Sequence, residues 1–163
     1  VQDTQKGRLA IYLAGPFSCC MNYRRLRAQL RIDEGFSATP YQDTRGVWTQ
    51  GYGSTQGVTE NTPPITVHKA NELLMSGAYN ACIDAQYLFN NFNQLDDTRQ
   101  EVLVNMAYNL GRGGLARFAK FRTAVQDKDF VEAAAQMLDS RWFNQVGNRA
   151  LRLHQQMLRG NSI

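Results

Sequence analysis

The stretch Leu30-Arg31-Ile32-Asp33-Glu34-Gly35 … Tyr41-Gln42-Asp43-Thr44-Arg45-Gly46-Val47-Trp48-Thr49-Gln50-Gly51-Tyr52-Gly53 changes character halfway along. Its first residues close a helical pattern that begins near Asn22, with Tyr23, Leu26 and Leu30 on one face and Arg24, Arg25, Arg27 and Arg31 mostly off it. Gly35 is a natural stop, because glycine enters the left-handed conformation that ends helices without a Cβ clash. Beyond it come Pro40, the turn-like Asp43-Thr44-Arg45-Gly46, and aromatic and β-branched residues punctuated by glycine. That pattern predicts a small hairpin over residues 37–55.

The acids of this stretch carry its chemistry. Asp33 and Glu34 fall in the last turn of the predicted helix, and Asp43 at the hairpin turn. Two carboxylates presented across a cleft by different elements are what glycosidic cleavage needs: one protonates the leaving oxygen, the other activates water or attacks the sugar carbon. The negative end of the helix and the adjacent Asp33 both disfavour the charged form of Glu34, which suits an acid. Asp43, in a polar turn, suits the ionised partner. On spacing alone, two such acids are more often solvated surface groups.

Further along, Glu60–Pro64 is a short loop and Thr66 is placed to cap a long helix with Val67, Ala70, Leu73, Leu74, Ala78, Ala81 and Cys82 at helical spacing, Gly77 being a weak point. Asp97-x-x-Gln100 reads as a capping box ahead of the apolar face Val102, Leu103, Met106, Ala107 and Leu110. Gly111-Arg112-Gly113-Gly114 is expected to end that helix, with others at about 115–125, 129–138, 141–144 and 148–158. The fold class is therefore α+β: one helix, a small hairpin lobe, a long connecting helix and an all-helical lobe.

Size and charge agree with that outline. The 163 residues suit one domain of one or two lobes, and the net charge of +4 comes from 18 Lys and Arg against 14 Asp and Glu. Fourteen of the 18 are arginines, and residues 112–163 hold nine of the cations against four acids, so the basic character lies in the helical lobe and suits a polyanionic partner. Cys19, Cys20 and Cys82 are too few for a disulfide scaffold and read as small buried residues, with a bridge from Cys82 to one of the pair left open. The apolar run Leu9–Phe17, broken by Gly15-Pro16, is about half of a membrane span, so no stable span is expected. His68 and His154 are read as surface or satisfied groups, and no cluster with metal-ligand spacing accompanies them. There is no Gly-x-Ser-x-Gly elbow to support Ser-His-Asp catalysis, and Gly51-x-Gly53 lacks the third glycine of a dinucleotide loop.

Residues 30–53 resemble the active-site region of the bacteriophage lysozymes, the T-even type muramidases of glycoside hydrolase family 24. That pattern has Glu-Gly, eight residues between Glu and Asp, and a Thr six beyond the Asp and ahead of Gly-x-Gly; all are present. The likeness continues through Ile65-Thr66, Phe92-Asn93-x-Leu95-Asp96, Asn105-Met106, Gly111 and Ser140-Arg141-Trp142-x-Asn144-Gln145-x-x-Asn148-Arg149-Ala150, over roughly residues 24–159. It implies a lysozyme-like α+β fold with residues 1–23 an extension of unknown role and 24–163 the lysozyme domain: about 24–65 the catalytic helix and β lobe, 66–92 the interlobe helix, 93–163 the helical lobe.

The resemblance implies hydrolysis of the β-1,4 bond between N-acetylmuramic acid and N-acetylglucosamine in bacterial peptidoglycan, with inversion. Glu34 would be the general acid, Asp43 the base for a water that Thr49 helps to hold, and Arg149 the cation lying against Glu34. Tyr108 and Asn109 match positions facing the glycan cleft, and Gln136 another glycan contact. Trp48 and Tyr52 lie near the catalytic turn and are equally suited to the core. Ser54 replaces the histidine that commonly follows Gly-x-Gly, a group that is structural in relatives. The expected enzyme is a cofactor-free monomer acting in the host periplasm and cell wall, with lysis at the end of infection and wall opening by a virion protein both open as routes. A lytic transglycosylase, which needs neither Asp43 nor Thr49, and a non-catalytic peptidoglycan-binding module are the alternatives. Nucleic acid is not an expected partner, since no groove-reading motif accompanies the arginines.

Overall fold

The computed structural model describes residues 21–161, and its architecture is α+β. Helix α1 spans Tyr23–Glu34, strands β1 and β2 span Ser37–Gln42 and Trp48–Gly51, and α2 spans Val67–Leu88. A single 3-10 turn at Phe92–Gln94 leads to α3 (Asp97–Ala116), α4 (Ala119–Gln126), α5 (Phe130–Leu138), α6 (Arg141–Val146) and α7 (Asn148–Arg159). The run Leu9–Phe17, Cys19, Cys20 and all but the last three residues of the N-terminal extension lie outside the described residues.

Helix α1 starts where Asn22 accepts the Arg25 amide and stops where Gly35 turns to φ 66°. Leu26 and Leu30 are fully buried, and Arg24 and Arg27 on the other side of the helix are exposed. The hairpin pairs antiparallel, Gln42 with Trp48 and Tyr41 with Thr49, and an irregularity before Tyr41 takes up Thr39 and Pro40, which cannot donate to a ladder. Two strands alone are marginal in water. Here the hairpin is fastened at both ends: Tyr52 accepts from Arg31 Nε at 2.9 Å and its ring lies 5.3 Å from Phe36, while Ile65 donates to the Ala38 carbonyl at 2.8 Å. Tyr52 is thus core, whereas Trp48 is half-buried.

Helix α2 begins as expected, with Thr66 accepting from the Lys69 amide, and runs unbroken through Gly77. It buries Ala70, Leu74, Ala78, Ala81, Cys82, Ala85 and Leu88, small residues that admit α3 closely. Helix α3 departs from the sequence reading at both ends. Its cap is Asp96, which accepts from the Arg99 amide, not Asp97; the Gln100 amide instead turns back to the carbonyls of Phe92 and Leu95 at 3.0 and 3.1 Å. Gly111 does break the helix (φ 69°, ψ 168°), but the chain winds on to Ala116, because the fully buried Leu115 draws the next turn inward. The following helix accordingly starts at Ala119 rather than near Leu115. Helices α5, α6 and α7 fall where the pattern puts them, with Asp129 and Ser140 capping the first two.

One core runs through the molecule, from Leu26, Leu30 and Tyr52 through Leu74, Leu103 and Met106 to Phe121, Met137, Trp142 and Leu153. The N-terminus of α1 is tied to α3 by Arg25, which donates to the wholly buried Glu101 at 2.6 Å and to Thr98 at 2.8 Å. Burial pushes the Glu101 carboxyl up, against the opposing pull of Arg25. No described helix is long and apolar enough to cross a membrane.

Candidate active site

Glu34 ends α1, and its position follows from the stop at Gly35. Its Oε1 accepts from Arg149 Nη1 at 2.8 Å, across 115 residues of sequence. Arg149 is held on its other edge by Asn105 of α3: Nε donates to the amide oxygen at 2.8 Å and Nη2 to the Asn105 carbonyl at 3.3 Å. Arg149 is only 7% exposed and Glu34 19%, so the pair is largely withdrawn from water with its acid edge still open. Gly53, at the end of the hairpin segment, has Glu34 Oε2 3.5 Å from where its Cβ would stand. Gln50 and Ser54 exchange two backbone bonds of 2.9 Å that hold this tip.

Asp33, its side chain 3% exposed, supports the pair from behind. It receives Arg152 Nη2 on both oxygens, at 2.8 and 2.7 Å, and Asn105 Nδ2 at 3.1 Å, with Arg149 Nε 3.5 Å away. Two carboxylates of α1 and two guanidiniums of α7 therefore interleave around one amide of α3. The sequence reading had Arg149 but missed Arg152 and the part played by Asp33 and Asn105. The signal that could have found them is the i, i+3 spacing of the two arginines on α7, which matches two adjacent acids at a helix end.

Asp43 occupies the hairpin loop as a different kind of acid. Its Oδ1 accepts the backbone N–H of Val47 and of Arg45, both at 2.9 Å, and its Oδ2 accepts from the Arg45 side chain at 3.1 Å. These bonds, the Val47 amide foremost, hold its carboxyl below the ordinary aspartate value against the opposing effect of desolvation. Val47 also links Asp43 to Thr49: its carbonyl accepts the Asp43 amide and the Thr49 hydroxyl, each at 3.0 Å. With its proton committed to Val47, the buried Thr49 Oγ1 keeps its lone pairs for accepting.

The remaining candidates separate. Tyr108 lies three residues beyond Asn105 on α3, and its phenol is pushed up to about 12 by burial first and by the negative charge of Glu34 next, Arg149 opposing. Asn109 is exposed, and its amide oxygen accepts from Trp142 Nε1 at 2.8 Å, which orients its NH2 as a donor for a ligand. Gln136 lies on α5 with its NH2 on Glu132 at 2.7 Å, a bond within its own helix. Of the histidines, His154 Nδ1 contacts the Ala134 carbonyl at 2.9 Å and His68 is an exposed partner of Glu72. Among the described residues no group of three or more His, Cys, Asp and Glu is arranged to hold a metal ion.

Comparison with known proteins bears on this arrangement. A family model described as phage lysozyme matches residues 31–157. A probable T4-type lysozyme 2 of Dictyostelium discoideum is 26% identical over a 153-residue alignment that covers 78% of this chain and 90% of its own. A probable T4-type lysozyme 1 of the same organism is 24% identical with the same coverage. The pre-baseplate central spike protein Gp5 of Enterobacteria phage T4 is 28% identical over 156 residues, 81% of this chain but 27% of that much longer protein.

Proposed function

The chain belongs to the phage lysozyme family, and from that membership we propose that it is a muramidase that hydrolyses the β-1,4 bond between N-acetylmuramic acid and N-acetylglucosamine in bacterial peptidoglycan. The observation that carries the reading is the contrast between its two exposed-edge carboxylates. Glu34 ends a helix in a largely dry pocket with a single cation on one oxygen, whereas Asp43 sits in a hydrogen-bonded turn that favours its ionised form. That is the division of labour a general acid and a base require.

In this mechanism Glu34 gives its proton to the glycosidic oxygen as the bond to the muramic acid C1 breaks. A water attacks C1 from the opposite face and loses its proton to Asp43, forming the new C–O bond with inversion. Thr49, an acceptor only, takes the second hydrogen of that water, so a lone pair is left pointing at the sugar. Arg149, steadied by Asn105, keeps Glu34 facing the cleft before substrate enters. Tyr108 and the NH2 of Asn109 serve the glycan, the first with an aromatic face and a neutral hydroxyl; Gln136, tied to its own helix, is the least prepared of the contacts proposed. The place of action is the wall of the host bacterium, where carboxylate-bearing peptide stems suit the basic helical lobe.

The test is mass spectrometry of digested peptidoglycan with wild type, Glu34→Gln and Asp43→Asn. Reducing muropeptides from wild type and none from either variant are expected. Anhydro-muramyl ends would replace hydrolysis by a lytic transglycosylase, and undiminished release by Glu34→Gln would remove Glu34 from its role.

A further inference from the structure

One contact of the interlobe helix is closer than a side chain allows. A Cβ built on Gly77, in the middle of α2, would stand 2.8 Å from Cε2 of Tyr108 and 3.5 Å from both its Cζ and its hydroxyl oxygen. Real Cβ atoms do not approach carbon so closely, so the ring rests where alanine's methyl would be. The part admitted is the hydroxyl end of the ring, not its root. Tyr108 lies one turn beyond Asn105, the residue that holds Arg149 and Asp33, so the two share a face of α3. The phenol feels both charges of the neighbouring pair, Glu34 raising its pKa and Arg149 lowering it.

We propose that Gly77 is a positioning residue for the cleft, acting through Tyr108: the missing Cβ leaves a notch in α2 that seats the hydroxyl end of the Tyr108 ring and fixes it beside the Glu34–Arg149 pair. Glycine in a helix interior is otherwise unfavourable, so a helix of 22 residues that keeps one at its middle needs such a reason. The notch also joins the helix that connects the two lobes to the wall of the cleft. A ring pushed out of the notch carries its hydroxyl with it, and misplacement of a cleft group by about 1 Å is enough to slow catalysis markedly. The kinetic part of this inference rests on the muramidase reading; the seat itself does not.

The experiment compares Gly77→Ala, Tyr108→Ala and the double variant, with Gly113→Ala as control, a helical position where an added Cβ meets nothing within 4 Å. Three quantities are measured: kcat and KM on peptidoglycan, the ultraviolet titration of the tyrosines, and the melting temperature. In Gly77→Ala the late phenol is expected to move down from about 12 toward the ordinary tyrosine value, and kcat/KM to fall on the order of tenfold or more, with melting no lower than that of wild type. In the Tyr108→Ala background the same substitution costs nothing further, and Gly113→Ala behaves as wild type. An unmoved late phenol, or an equal loss of kcat/KM without the Tyr108 ring, overturns the proposal. Should Gly77→Ala fail to fold, pairing it with Tyr108→Leu, which has no ring to displace, restores folding if the notch is the cause; continued unfolding overturns it. A wild type that releases no sugar fragments ends the muramidase reading, while the titration still decides the notch.

Discussion

One guanidinium nitrogen of Arg152 lies 2.8 and 2.7 Å from the two carboxylate oxygens of Asp33, a residue 119 positions earlier. The acid is buried and the arginine about one-third exposed, so the two ends of the bond are not equivalent. Removing Asp33 takes its carboxylate from Arg152 and leaves the buried Asn105 amide without its acceptor, while Arg149 keeps Glu34; Asp33→Ala is expected to cost roughly 2–3 kcal/mol of stability. Arg152→Ala leaves Asp33 with its other partners and is expected to cost about 1 kcal/mol, the smaller figure reflecting solvent screening at its exposed end. Denaturant titration of both variants checks the ordering, and equal losses would contradict it.

Asp43 sets the acid side of activity. Its carboxyl is held below the ordinary aspartate value chiefly by the Val47 amide, then by the Arg45 amide and side chain. A lowered folded pKa means that the ionised form persists as pH falls, and that both its function and its stabilising bonds are lost only when pH passes through the lowered value. The acid limb of kcat/KM is therefore expected below the usual carboxylate range. Arg45→Gln moves it upward without abolishing the shift, because the backbone donors remain, and added salt does the same to a lesser degree. A limb that ignores Arg45 would remove Asp43 from the base role.

Tyr108 gives the alkaline counterpart. Its phenol, raised to about 12 by burial and by Glu34, binds its proton more tightly in the folded chain than in the unfolded one. Stability from the neutral phenol is complete below about pH 10 and is lost as pH rises to about 12. Tyr108→Phe has no proton to lose, so the stability difference between wild type and Tyr108→Phe should change across that interval and be flat below it. Denaturation curves from pH 8 to 12 would show this, and a difference constant throughout would falsify the assignment.

Asn109 has a structural duty beside any contact with glycan. Its amide oxygen is the partner of the Trp142 indole N–H at 2.8 Å, and Trp142 is buried. Asn109→Ala leaves that donor unpaired and should cost roughly 1–3 kcal/mol. Asn109→Asp keeps an acceptor for the indole but loses the NH2, so it should hold stability better while raising KM. Chemical denaturation followed by indole fluorescence, alongside kinetics, separates the two duties; a stable Asn109→Ala would remove the first.

Local signals made much of the fold legible. Gly35 after Asp33-Glu34, Thr66 ahead of Val67, and Asp43 to Gly46 between two β-prone runs each act within a turn or so, and each element formed where its signal stood. Helix α3 was misjudged where packing outweighs local preference: Leu115 is drawn into the core beyond the break at Gly111, and Gln100 turns away from the cap to the carbonyls of Phe92 and Leu95. Among the site candidates, spacing drew attention to Glu34 and Asp43 but left them as ordinary surface acids; it was the family resemblance that singled them out and added Thr49 and Arg149. What joins them could not be read in either way, because Asp33 with Arg152 and Gly77 with Tyr108 are meetings of distant segments, which no periodicity within either segment announces.

The interleaved acids and arginines also place the site in time. The carboxylates of α1 are synthesised more than a hundred residues ahead of their cations, which belong to α7. A growing chain that has not yet delivered residues 149 and 152 presents Glu34 and Asp33 as two adjacent, unneutralised charges at the end of a helix that disfavours them. The site is therefore completed only when α7 docks, and the segments that precede α7 cannot by themselves neutralise its two acids.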